Sequence, residues 1–272
     1  MSPSAGGQES EKARVAVLGL GEAGSRLATD LTERGLRVVA FDPAERATPP
    51  RVDRAESEEQ ASKGARVVLS VNSASAAVPA AEKCAPVLRP GQIFADLNTA
   101  SPEVKRRAAR AVEPSGCTFA DVALMAPIRF GGIATPALVS GEGANAFKDF
   151  FAPLGMPVTV IEGEVGSAAT SKLLRSIFMK GLAISVTEAL RTAEAVGSRE
   201  WLHAEIARTL QAADGELLQR LIDGSIVHAG RRREEMEAAA ALEHEVGIDA
   251  HIARACSEWF SVLEREFGST PP

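Results

Sequence analysis

The feature that most constrains this chain is a glycine turn placed between a strand and a helix. Residues 14–18 (RVAVL) form a short Val-rich run that reads as a buried strand. Gly19-Leu20-Gly21-Glu22-Ala23-Gly24 follows at once. Residues 22–34 then carry helical spacing, with Leu27 and Leu31 four apart and Gly35 closing the helix. In that setting each glycine of G-x-G-x-x-G has a mechanical task. Gly19 permits the tight turn, Gly21 lets the backbone approach a pyrophosphate, and Gly24 lets helix and strand pack closely. The pyrophosphate would rest on the unpaired N–H groups and positive end of the helix.

The rest of the first half keeps the same rhythm. Strands are expected at residues 37–41, 66–71, 92–96, 118–123, 137–140 and 157–161. Helices are expected at 54–63, 74–87 (broken by Pro79 and Pro86), 101–112 (Ser101 as N-cap, Pro102 at its first position) and 144–154. This alternation predicts an α/β fold with a Rossmann-like, mostly parallel sheet. After residue 161 no strand is expected. Helices are expected at 167–196, 200–214, 215–222, 231–246 and 249–267, so an all-helical C-terminal domain follows. The expected division is a disordered leader at 1–12, a dinucleotide-binding domain at 13–163 and a helical substrate and dimerisation domain at 164–272, with a frayed tail from Gly268.

The second strand ends at Asp42, about twenty residues past the glycine turn, where the fingerprint expects an acid. A carboxylate there accepts from the adenosine ribose hydroxyls and repels a 2′-phosphate. NAD is therefore favoured, with NADP possible because Arg46 lies one turn on. Asp42 is also an ordinary strand-end turn residue before Pro43. Val71-Asn72-Ser73 and Leu97-Asn98-Thr99 close the next two strands and should line the same crevice.

The net charge of −6 disfavours a nucleic-acid surface, and the run Arg231-Arg232-Arg233 is followed at once by acids, as on a solvated helix. No stretch is apolar for the length a membrane span needs. Cys84, Cys117 and Cys256 have no metal-ligand or redox spacing, which fits a reducing, cytoplasmic compartment. No metal is expected.

Lys172 sits on the long helix among small and apolar residues, with Leu173, Leu174 and Ile177 beside it. In an apolar crevice its charged form would be disfavoured, and it could exchange a proton with a substrate hydroxyl. The other reading is a lysine reaching out to water. Ser176 is one turn on, on the same face; Lys180 reads as a surface charge.

These residues resemble the β-hydroxyacid dehydrogenase superfamily, which includes 6-phosphogluconate dehydrogenase. Its pattern Gly-x-x-Gly-x-Gly-x-x-x-Lys-x-x-x-Asn is met by Gly163, Gly166 and Lys172, with Ala168 for the third glycine and Ser176 for the asparagine. Asn98-Thr99 is similar to the family's Ser-Thr segment. The resemblance implies a catalytic set of Lys172 as acid/base, with Ser176 and Asn98 orienting the substrate oxygen. The family's substrate segment, Asp-x-Pro-x-x-Gly-Gly, corresponds to a stretch beginning at Asp121, but Met125, Ala126 and Pro127 replace the residues that hold a carboxylate. A bulkier or less polar substrate is implied, beside Met125, Ile128 and Phe130, with Arg129 as a possible carboxylate partner. Lys-Ser followed later by Arg231-Arg232-Arg233-Glu234-Glu235-Met236 is similar to a short phosphogluconate-dehydrogenase-like C-terminal domain of unassigned function.

The implied activity is hydride transfer between a nicotinamide and the carbonyl or alcohol of a small, hydroxyacid-like molecule. Related imine reductases usually carry aspartate or tyrosine where Lys172 stands. A dinucleotide-binding sensor without turnover is the rival of another class. The apolar content of the last helices, from Trp201 and Leu202 to Leu221 and Ile222, implies a homodimer, and His228, Arg231 and Arg232 are candidates to complete the site.

Overall fold

The computed structural model describes residues 14–267, so the expected leader and the tail from Gly268 lie outside the described residues. Two compact units divide between Arg175 and Ser176, beyond the expected boundary near residue 163. The first turns of the long helix belong with the sheet.

The first unit contains β1 (Arg14–Leu18), α1 (Glu22–Glu33), β2 (Arg37–Phe41), β3 (Val52–Arg54), α2 (Glu58–Ser62), β4 (Val67–Ser70), α3 (Ala77–Cys84) and β5 (Ile93–Asp96). It continues with α4 (Pro102–Val112), β6 (Thr118–Leu124), α5 (Ile128–Gly131), β7 (Ala137–Ser140), α6 (Ala144–Phe151), β8 (Val158–Val160) and the start of α7 (Ser167–Ala195). The eight strands lie in the order β3-β2-β1-β4-β5-β6-β7-β8. All neighbours are parallel except β6 and β7, which pair antiparallel.

Both faces of the sheet are covered, which explains the continuous apolar runs. Val15 and Val17 face a core completed by Leu27 and Leu31 of α1 and by Phe147 and Phe151 of α6. Ala16 and Leu18 face the opposite core, with Ala61 of α2, Ala81 of α3 and Ala108 of α4. The chain order reverses on either side of β1, between β2 and β4. That switch point, beyond the carboxyl ends of the strands, is where open α/β sheets take ligands.

Two expected helices need correction. Within the stretch 54–63 only Glu58–Ser62 is helical, as α2, and Arg54 is the last residue of the edge strand β3. Pro79 does not break its helix, because it falls in the first turn of α3, where its N–H has no helical partner to lose. Ser101 caps α4 as expected, accepting from the Val104 N–H at 3.3 Å, with Pro102 at the first helical position.

The second unit continues α7 and adds α8 (Arg199–Gln211), α9 (Gly215–Val227), α10 (Ala229–Glu245) and α11 (His251–Phe267). α10 packs along α11, and α9 touches both. Among the described residues no helix is long and apolar enough to cross a membrane.

Candidate active site

The glycine turn is sterically determined at two of its three positions. Gly19 has φ +104°, and its N–H donates to the Phe41 carbonyl at 2.7 Å. A Cβ on Gly19 would lie 2.4 Å from the Val71 carbonyl oxygen, and one on Gly24 would lie 1.8 Å from the Gly19 oxygen. Neither can carry a side chain while β1 and α1 stay packed. Gly21 differs: the nearest atom to an added Cβ is an Arg46 guanidinium nitrogen at 3.8 Å. The protein itself leaves room there, so the need for glycine comes from something that approaches the backbone from outside.

Asp42 is buried at the end of β2 and holds the turn. One carboxylate oxygen accepts the Leu20 N–H at 2.6 Å and the other the Ala44 N–H at 2.8 Å. Arg46 Nε stands 3.6 Å from the first of these oxygens. Arg54, from β3, donates to the Asp42 and Ala44 carbonyls at 2.8 and 3.0 Å and fixes the loop after β2. A cleft of about 440 Å³ opens at this switch point, within the size range of small-molecule sites. Gly19, Gly21, Asp42, Val71, Asn72 and Ser73 line it, as the sequence places them. Leu20 is buried in the turn, while Glu22 is exposed and Ala23 half-buried in the first turn of α1. The open backbone at Gly21, the helix start and the acid at the strand end fit a dinucleotide.

A second cluster lies where β5, β6 and the start of α7 meet. Lys172 Nζ donates to Thr99 Oγ1 at 3.0 Å. Asn98, next to Thr99, is buried; its amide NH₂ donates to Ser70 Oγ at 2.9 Å and to Asp96 Oδ1. Those two acceptors orient the amide, so its carbonyl oxygen is the buried atom left with no hydrogen-bond partner among the described residues. Asn98, Thr99, Lys105 and Lys172 border a void of about 10 Å³, the room of a single water.

Behind this cluster sits an ion network that sequence reasoning missed. Lys105, on α4, is fully buried, and its Nζ lies 3.2 Å from Asp96 Oδ2 and 3.2 Å from Asp121 Oδ1. It also donates to the Asp96 carbonyl at 2.7 Å. The other Asp121 oxygen accepts the N–H groups of Gly166 and Ala169, each at 3.0 Å, while Ser140 Oγ accepts that of Ala168 at 3.0 Å. These are the unpaired N–H groups of the first turn of α7. Carboxylate and hydroxyl therefore pin the helix start that carries Lys172. Asp121, which the family resemblance sets in a substrate segment, faces this helix and Lys105. Gly163 and Gly166, both at positive φ, shape the approach to α7.

Other expected residues are placed differently. Leu173, Leu174 and Ile177, the residues expected to wall an apolar crevice for Lys172, are all exposed among the described residues. Lys172 is half-buried and sits beside polar Thr99. Met125 is half-buried, its N–H bonded to the Pro136 carbonyl at 2.8 Å, while Ala126 and Pro127 are exposed just beyond the end of β6. Arg129 is exposed and lies over the Phe130 ring, 4.6 Å from its centroid. Ser176 is half-buried and begins the second unit. Arg231 pairs with Glu235, and Arg232 donates to Ser225 at 2.8 Å. Among the described residues no cluster of side chains suits a metal.

Residues 14–127 match the family model of the NAD binding domain of 6-phosphogluconate dehydrogenase. That stretch is similar to the NAD-binding domain of this dehydrogenase family. Residues 193–263 match a domain of unknown function, DUF1932. An uncharacterised 28.5 kDa protein in the 7S RNA 5′ region of Methanothermus fervidus is 29% identical over 178 residues, 64% of this chain and 66% of that protein, so the match spans slightly under two thirds of the relative. A conserved protein of unknown function, described as similar in structure to 3-hydroxyacid dehydrogenases, is 28% identical over 94% of this chain and all of its own, with a TM-score of 0.59. A reductive aminase from Aspergillus terreus, solved with NADPH and ethyl-5-oxohexanoate, shares the fold over 94% of each chain at a TM-score of 0.80 and 20% identity.

Proposed function

We propose that this dehydrogenase-type protein reduces or oxidises the C–O centre of a small, hydroxyacid-like molecule, with Lys172 as its acid/base. The observation that carries the reading is the 3.0 Å bond from Lys172 Nζ to Thr99 Oγ1 beside the buried amide of Asn98. A bound nicotinamide supplies or accepts the hydride. In the reductive direction the Lys172 ammonium gives its proton to the substrate oxygen, and solvent returns it. In the oxidative direction the neutral amine takes the hydroxyl proton. Thr99 fixes where the ammonium stands, and Asn98, next to it in the chain, is assigned to orient the substrate oxygen. Ser176, on the same helix, is assigned the role of a second contact to the substrate oxygen. Met125, Ala126 and Pro127 are assigned to the substrate body.

Lys172→Ala is the test. NADH affinity should stay within about a factor of two, while kcat/KM on a panel of carbonyl and alcohol compounds falls about 10²- to 10⁴-fold. Retained turnover would overturn the acid/base assignment. Activity confined to imines in the same panel would replace C–O with C=N chemistry, and an inert wild type would favour a dinucleotide sensor.

NAD is the preferred cofactor on this reading, because the Asp42 charge opposes a 2′-phosphate. The assembly is read as a homodimer through the helical unit, where Trp201, Leu218, Leu221, Ile222, Val227 and Trp259 are exposed. Sedimentation at micromolar concentration should give twice the chain mass; a monomer would refute the dimer.

A further inference from the structure

The segment between β2 and β3 brings Asp42 and Arg46 to the cleft at the glycine turn, yet it is neither helix nor strand. Its own backbone does little to hold it. Of residues 43–48, only Arg46 donates its N–H to a backbone carbonyl, that of Ala44 at 2.7 Å, among the described residues. A loop so loosely tied would have to be ordered by its ligand, at a cost in affinity.

One side chain replaces the missing ties. Arg54 Nη2 donates to the Asp42 carbonyl at 2.8 Å and the Ala44 carbonyl at 3.0 Å. Its Nη1 donates to the Arg46 carbonyl at 2.8 Å and to Thr48 Oγ1 at 3.2 Å. The acceptors come from every second residue, so the loop curls round the guanidinium. The two terminal nitrogens carry four N–H groups between them, and these four acceptors match them. The guanidinium does not line the cleft itself. Its element has little other purpose. β3 is three residues long and contributes one half-buried side chain, Val52, to the core. Pairing of Ala40 with Arg54 sets the arginine two residues short of Asp42 across the strands. The chain enters β3 through Arg51 at φ +63°, the one positive φ outside glycine among the described residues. Backbone strain is accepted there to put β3 in place.

We propose that Arg54 is a positioning residue for the dinucleotide: it acts through the 42–48 loop to set the affinity for the adenosine half. Asp42 has its carboxylate held by the Leu20 and Ala44 amides and its backbone held by Arg54. The acid thus meets the ribose already in place. The assignment rests on the dinucleotide reading of the cleft and uses neither Lys172 nor the identity of the substrate.

Calorimetry on the full-length protein tests it, with NADH and with ADP-ribose, which lacks the nicotinamide. R54A should weaken both by the same factor, about tenfold, because the loop must then be ordered on binding. In a D42A background the same substitution should cost less than about threefold, since the group being positioned is gone. R54K keeps the charge but has one nitrogen for four spread acceptors, so it should recover under half of the loss in binding free energy. Full recovery in R54K would assign Arg54 to long-range attraction of the phosphates and overturn the proposal. Equal losses with and without Asp42 would overturn it, as would weakened NADH with ADP-ribose unchanged. Arg54 is exposed, so R54A should keep its far-UV circular dichroism. Should R54A fail to fold, R54K decides against the native protein, and native affinity there sinks the idea. Undiminished NADH binding in R54A overturns the positioning role alone. A native protein that binds neither NADH nor NADPH removes the cofactor reading, and this proposal with it.

Discussion

Lys105→Met tests the physical heart of the first unit. The substitution keeps roughly the length and apolar stem of the side chain and removes its charge. In the native protein the ammonium lies 3.2 Å from each of two carboxylates, and both Asp96 and Asp121 side chains are fully buried. Removing one partner of a buried ion pair costs about 3–5 kcal/mol, because the other charge stays behind without compensation. Here two carboxylates are left, so a loss at the upper end, about 4–5 kcal/mol, is expected. For a protein of this size each kcal/mol shifts Tm by about 2–4 °C, which gives a drop of about 8–20 °C. The probe matters: Trp201 and Trp259 both lie in the second unit, so tryptophan fluorescence would miss the event. Far-UV circular dichroism, with hydrogen exchange read on β5 and β6, reports the right unit. Lys105→Met combined with Asp96→Asn should recover part of the loss, since one orphaned charge is gone. Asp121 also holds the start of α7, so turnover in the single variant should fall at temperatures where it remains folded. A loss below about 1 kcal/mol would refute the description of this network as desolvated.

Two further outcomes follow from the same geometry. Asp42→Ala should raise the ratio of kcat/KM for NADPH to that for NADH by about tenfold or more, as the opposing charge goes and Arg46 remains; steady-state kinetics with both cofactors checks it, and an unchanged ratio would mean that Asp42 only braces the Leu20 and Ala44 amides. Burial pushes the Cys84 thiol from 9.0 up to about 12, so alkylation at pH 8 should leave it unmodified in the native protein and label it on unfolding, as peptide mapping would show. The unfolded thiol ionises near its ordinary value while the folded one keeps its proton, so this group's contribution is intact below about pH 9 and is lost as pH rises towards about 12; Cys84→Ala should therefore lose less stability over that window than the native protein.

What the sequence discloses here follows the range of the forces involved. β1, β2, β4 and β5 are legible because parallel strands covered on both faces must be continuous apolar runs, and the glycine turn is legible because its constraints are backbone contacts within one βα unit. β3 is not, because a three-residue edge strand with one apolar side chain has no pattern to read. The cofactor cleft inherits the legibility of the turn, whereas the setting of Lys172 does not. Its environment was inferred from helix neighbours that prove to be exposed, while the contact that positions it comes from Thr99, at the end of β5. Lys105 is the sharper case. It stands in the run Lys105-Arg106-Arg107, where any local reading assigns all three charges to solvent, and the structure does leave Arg106 and Arg107 exposed. Lys105 alone points inward, because β5 and β6 bring Asp96 and Asp121 into register as direct neighbours. Two adjacent buried carboxylates demand a cation, and α4 is the element packed there to supply one. The charge on α4 is thus set by the pairing of two strands, and through Asp121 the same pairing decides where the lysine of α7 stands.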